Sequence, residues 1–167
     1  TQLLASWGVK LQNNLVYETS PIGTLFGFGR LSPLVTSYEG HPITREMREV
    51  ATAFPLSRSL EVSDSEGKAK AEKLFSSTAS SRATANITLG ENTLNQEKDP
   101  PGPFVLGAAG TYDTGDTNNE GRFVVVGSSS WITNNIPRQV ANQDLFLNMM
   151  NWLSSDEDLI SIRPKDP

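Results

Sequence analysis

The stretch RFVVVGSS, residues 122–129, constrains this chain more than any other. Three consecutive β-branched valines favour a strand, and Phe123 beside them leaves it without a polar face. Successive strand residues point to opposite sides of a sheet, so a strand of this kind needs cover on both. The expectation is a central, doubly covered strand. The stretch ANQDLFLNMMNWLSS, residues 141–155, supplies a candidate covering layer. Leu145, Met149 and Trp152 form one stripe and Phe146, Met150 and Leu153 the next, which predicts a helix buried over much of its circumference. Asn142 is expected to cap this helix, and Asp144 suits its first turn.

The remaining segments extend an α/β pattern within a single domain, 1–167. Leu3, Leu4 and Trp7 predict a short helix closed by Gly8, followed by an extended stretch over 9–19. Residues 20–39, SPIGTLFGFGRLSPLVTSYE, predict an irregular loop that packs through Leu25, Phe26 and Phe28. Helices are expected within 41–54 and over 65–80, the second from the helix-favouring run AKAEKL. Strands are expected over 54–63, over 102–113 and, ending the chain, over 158–164, while the polar, turn-rich 80–103 reads as a short strand followed by a long surface loop.

Composition removes several classes of function. The net charge is −5 and the basic residues are scattered, which excludes a surface built for nucleic-acid phosphates. There is no cysteine, so disulfides, thiolate metal sites and cysteine nucleophiles are absent. No apolar run approaches the roughly 20 residues of a membrane-spanning helix. The chain opens in what reads as the last turns of a helix, as expected of a piece of a longer protein.

Candidate chemistry centres on the serines that follow the valine strand. A nucleophile elbow needs G-x-S-x-G, because small residues permit the tight turn that exposes the serine. Here Gly127, Ser129 and Trp131 occupy those positions, and Trp131 replaces the second glycine. The base would be His41, the single histidine, or a lysine. The preferred reading of Ser128, Ser129 and Ser130 is a polar strand end, with a serine hydrolase or transferase using His41 as the alternative. Residues 113–121, DTGDTNNEG, offer oxygen ligands from Asp113 to Glu120 but miss the EF-hand spacing, so a hairpin-like connector is preferred to a calcium site. Asn86-Ile87-Thr88 matches a glycosylation sequon, a short pattern that also arises by chance. Gly27 and Gly29 lack the context of a phosphate loop. No metal site and no cofactor is expected.

Six stretches in this order resemble a known family: LLASWGVKLQNNLV, HPIT at 41–44, FPLSRSL at 54–60, GPFVLGAA at 102–109, RFVVVGSSSWITN at 122–134 and NQDLFLNMMNWLSSDEDLISIRPK at 142–165. Together they resemble the C-terminal part of the extracytoplasmic domain of GldG-like auxiliary proteins of ABC-type, gliding-motility-type transport systems. The resemblance implies a three-layer-like α/β sandwich with a mixed, largely parallel sheet, similar to the class I glutamine-amidotransferase-like fold and present here as a partial domain. It implies a non-catalytic role on the extracytoplasmic or periplasmic face of the membrane, with anchoring helices outside this fragment. The partners implied are the permease and ATPase subunits. Recognition is expected through Phe26 and Phe28 and through a strand-end crevice near Ser128, Ser129, Ser130, Trp131 and Asn134. Asn134, Asn135 and Asn142 would hold the connection into the helix. A small-molecule or glycan ligand is a further partner, and a carbohydrate-binding module resting on Trp131 and Tyr38 is a third reading.

Overall fold

The computed structural model describes residues 2–65, 67, 69–88, 94–116, 119–133, 135–138 and 140–154. The expected strand over 158–164 lies outside them, as does Asn134. Three helices are described, α1 (Gln2–Ser6), α2 (Ile22–Leu25) and α3 (Asn142–Leu153). The strands are β1 (Val9–Leu11), β2 (Leu15–Glu18), β3 (Leu34–Val35), β4 (Ser37–Tyr38), β5 (Thr52–Ala53), β6 (Leu60–Val62), β7 (Ala69–Ser76), β8 (Ser81–Thr84), β9 (Val105–Asp116) and β10 (Asn119–Val126).

The largest sheet runs β10-β9-β7-β4, and three two-stranded sheets pair β1 with β6, β2 with β8 and β3 with β5. Every one of these pairings is antiparallel. The expected mixed, largely parallel α/β sandwich is therefore corrected to a mainly antiparallel β architecture with few helices. The physical reason lies in the connections. Parallel neighbours need a crossover of a dozen or more residues, usually a helix, and the segment expected to supply one, 65–80, forms β7 instead. Its residues alternate in exposure from Ala69 through Glu72 before Leu74 and Phe75 turn wholly inward. Pairing with β9 from Ala69↔Tyr112 to Ser76↔Val105 outweighs the helix propensity of alanine, lysine and glutamate. The helix expected within 41–54 is a series of turns, and of the strand expected over 54–63 only β6 forms.

β9 and β10 form a long hairpin, in register from Val126↔Gly107 to Glu120↔Asp113. Among the described residues β10 ends the sheet order, at the edge and not at the centre expected of it. It is nevertheless covered on both faces. Val124 and Val126 pack on the main core, with Leu145, Met149 and Trp152 of α3, Phe54, Phe75 and Trp131. Phe123 and Val125 pack on a second cluster with Val9, Leu60 and Ala108. There Trp7 stacks on Phe123 at 4.5 Å and on Tyr112 at 5.5 Å between ring centroids. Gly8 follows with φ of 81°, the left-handed conformation that ends a helix without a Cβ penalty. A third cluster joins Phe28, Leu34, Ala53 and Val140.

Candidate functional site

The serine run begins where β10 ends. Gly127 keeps an ordinary φ, so its turn does not explain the glycine. Close approach does: a Cβ there would run into the carbonyl oxygen of Arg58, which belongs to the residue whose N–H donates to the Gly127 carbonyl at 2.9 Å. Ser128 is buried and donates its hydroxyl to the carbonyl of Pro55 at 2.5 Å, while the Ser130 N–H donates to Ser128 Oγ at 3.3 Å. Ser129 is exposed. Trp131 is buried, stacked on Phe54 at 5.6 Å and edge-on to Phe146 at 6.1 Å.

His41 is held elsewhere. Its ring is buried edge-on against Trp152 in the last turn of α3, centroids 5.0 Å apart, and its Nδ1 accepts from the Ile43 N–H at 3.1 Å. The carbonyl of Trp131, by contrast, accepts from Asn142 in the first turn of the same helix. Ten residues of helix rise about 15 Å, so histidine and serine run sit toward opposite ends of α3. Burial pushes the His41 imidazole below its ordinary pKa, opposed by Glu72 and assisted by Arg122 and Arg45.

Asn142 does not cap α3. The N-cap is Ala141, without a side-chain cap bond. The buried Asn142 amide instead accepts from the Ala53 N–H at 2.8 Å and donates to the carbonyls of Ala53 at 2.7 Å and Trp131 at 2.6 Å. It thus ties β5, the end of the serine run and the start of α3 together. Asn148, fully buried, escaped the sequence reading; its Nδ2 donates to the Ile43 carbonyl at 3.2 Å. A signal existed, because Asn148 falls between Leu145 and Trp152 on the apolar stripe. Helix burial is also narrower than expected, since Leu147 and Met150 are 40% and 48% exposed.

Beside α3 lies an open groove of about 830 Å³. Ile132, Ile136, Phe146 and Leu147 give it apolar walls, and Thr133, Arg138, Gln143 and Asp144 give it polar ones. Ser128, Ser129, Ser130 and Trp131, expected beside a strand-end crevice, are not among its lining residues. Tyr38, the other aromatic of the carbohydrate reading, is half-buried, and its hydroxyl bonds to Val35, Val50 and Thr52. Among the described residues no group of three or more histidine or acidic side chains is placed to hold a metal ion. Asp113 accepts from the Gly115 N–H at 2.7 Å in the hairpin.

In the 20–39 loop, Phe28 is buried with Leu34, Ala53 and Val140, Phe26 packs half-buried on the same cluster, and Leu25 is 83% exposed. Phe28→Ala is expected to cost about 3 kcal/mol of stability, whereas Leu25→Ala should stay within about 0.5 kcal/mol. Urea unfolding of both variants checks this; equal midpoints would contradict the packing. No protein-family model matches this sequence, and no curated protein matches it.

Proposed function

We propose that this chain is a non-catalytic extracytoplasmic domain of an ABC-transporter auxiliary subunit, working by binding the transporter or a transported ligand. The resemblance to GldG-like proteins supports this through its ordered sequence segments alone, since the amidotransferase-like sheet that it implied is not the sheet found. The observation that carries a binding role is the groove between α3 and the 132–140 connection, where exposed Ile132 and Leu147 stand beside Arg138 and Asp144. A preformed concave surface with apolar walls and a few polar groups is the usual form of a recognition site. The bonds of Ser128 to Pro55 and of His41 to Ile43 favour structural roles for the pair on which the hydrolase reading rests.

The test is co-purification from membranes that contain the transporter, using the domain within its full extracytoplasmic region. Recovery of permease or ATPase with the parent, reduced at least tenfold by Leu147→Arg, is the expected result. That substitution alters an exposed side chain, so unchanged thermal unfolding should accompany it. Recovery of the domain alone would overturn the transporter assignment.

A further inference from the structure

The turns over 41–47 meet α3 through one residue whose backbone is gripped from two sides. The Ile43 N–H donates to His41 Nδ1 at 3.1 Å, and the Ile43 carbonyl accepts from Asn148 Nδ2 at 3.2 Å. One helical turn beyond Asn148, Trp152 meets the edge of the His41 ring. Arg122 of β10 lies over Trp152 at 5.0 Å from the ring centroid and donates to the Trp152 carbonyl at 2.8 Å. His41 therefore stands where the turns, the last turn of α3 and the large sheet join.

An Nδ1 that accepts from an N–H carries no proton, so this geometry requires the neutral ring with its proton on Nε2. Protonation would set a second N–H against that of Ile43, replacing a hydrogen bond by two opposed donors. It would also place a cation in a buried site. Of the charged groups around the ring, Glu72 from β7 favours the imidazolium, while Arg122 from β10 and Arg45 from the turns oppose it. The α3 residues at this joint, Asn148 and Trp152, bring no charge.

We propose that His41 is an acid-sensitive latch, holding the 41–47 turns against α3 at neutral pH and releasing them on protonation, which uncovers Trp152, Ile43 and Met47. This inference stands apart from the transporter assignment. The lowered folded-state pKa gives its sign: the open form takes up more protons than the closed form. The stabilisation is complete above the ordinary histidine pKa of about 6.5. It declines as pH falls below that value and levels off beneath the folded-state pKa.

Amide hydrogen exchange of the parent protein and of His41→Asn tests the latch. Asparagine keeps an acceptor for the N–H two residues on, as in an Asx turn, and does not titrate. After correction for intrinsic exchange, Ile43 protection should fall several-fold between roughly pH 7.5 and 5 in the parent, because the open form takes up the proton more readily than the closed form. The β9–β10 amides should keep theirs, and His41→Asn should show no such fall. Constant Ile43 protection, an equal fall in the variant or an equal fall across β9–β10 would each overturn the proposal. Should His41→Asn fail to fold, the imidazole titration of the parent by NMR decides: a midpoint below about 6.5 that coincides with the Ile43 amide shift supports the latch. A midpoint at or above that value refutes it.

Discussion

Asn142→Ala is expected to destabilise the protein by about 3–5 kcal/mol, a large share of the roughly 5–15 kcal/mol that holds a domain together. The amide makes three bonds to backbone groups, one to the Ala53 N–H and one each to the carbonyls of Ala53 and Trp131. Truncation strands all three partners in a buried site, at about 1–3 kcal/mol for each unsatisfied group, less whatever water can repair. Asn142→Asp provides the companion measurement, because it keeps the acceptor and loses both donated bonds while introducing a buried charge. Guanidinium or urea unfolding reads both. A loss below about 1 kcal/mol for alanine would mean that these bonds contribute little and that a helix-start preference is the whole role of Asn142.

Trp131→Ala should be of similar size, about 3–5 kcal/mol, because it empties a site between Phe54 and Phe146 in the main core. For a domain of this length the melting temperature should drop on the order of 10 °C. The same variant separates a packing role from a carbohydrate platform. A stacking surface for sugar rings would leave the melting temperature unchanged and abolish glycan binding; a core residue shifts the melting temperature first. Phe54 connects this tryptophan to the sheet by stacking on Phe75 at 4.7 Å, so removal loosens the contact between the serine connection and β7.

Legibility followed the range of the interactions involved. The valine strand was readable because covering both of its faces is a consequence of its own side chains, and Phe123 and Val125 on one side and Val124 and Val126 on the other are indeed covered. Its place at the end of the order β10-β9-β7-β4 among the described residues was not readable, since nothing in residues 122–126 says which strands pair beside it. Segment 65–80 carried two signals at once. Helix propensity favoured one state, and the alternation of Ala69, Lys70, Ala71 and Glu72 favoured the other. Pairing with β9 and β4, strands distant in the sequence, decided between them.

The candidate site divides in the same way. Ser128 suggested a local role, a polar strand end, yet it bonds to Pro55, and Gly127 beside it lies against Arg58. Asn142 looked like a helix cap because capping is the commonest local use of asparagine at a helix start, while its partners lie on β5 and on the residue before Ile132. The crevice expected at the serines and the groove beside α3 share none of the described residues named for that crevice.

By itself the sequence determined the helix over 142–153, the end of α1 at Gly8 and the strand character of 105–113 and 122–126. Each follows from side-chain periodicity or backbone freedom within a few neighbouring residues. The tertiary structure alone decided that the strands pair antiparallel, that 69–76 is a strand and that His41 joins α3 while Ser128 joins Pro55. Those outcomes depend on groups brought together from distant parts of the chain, where burial and hydrogen-bond satisfaction outweigh the sub-kcal/mol preferences that local sequence expresses.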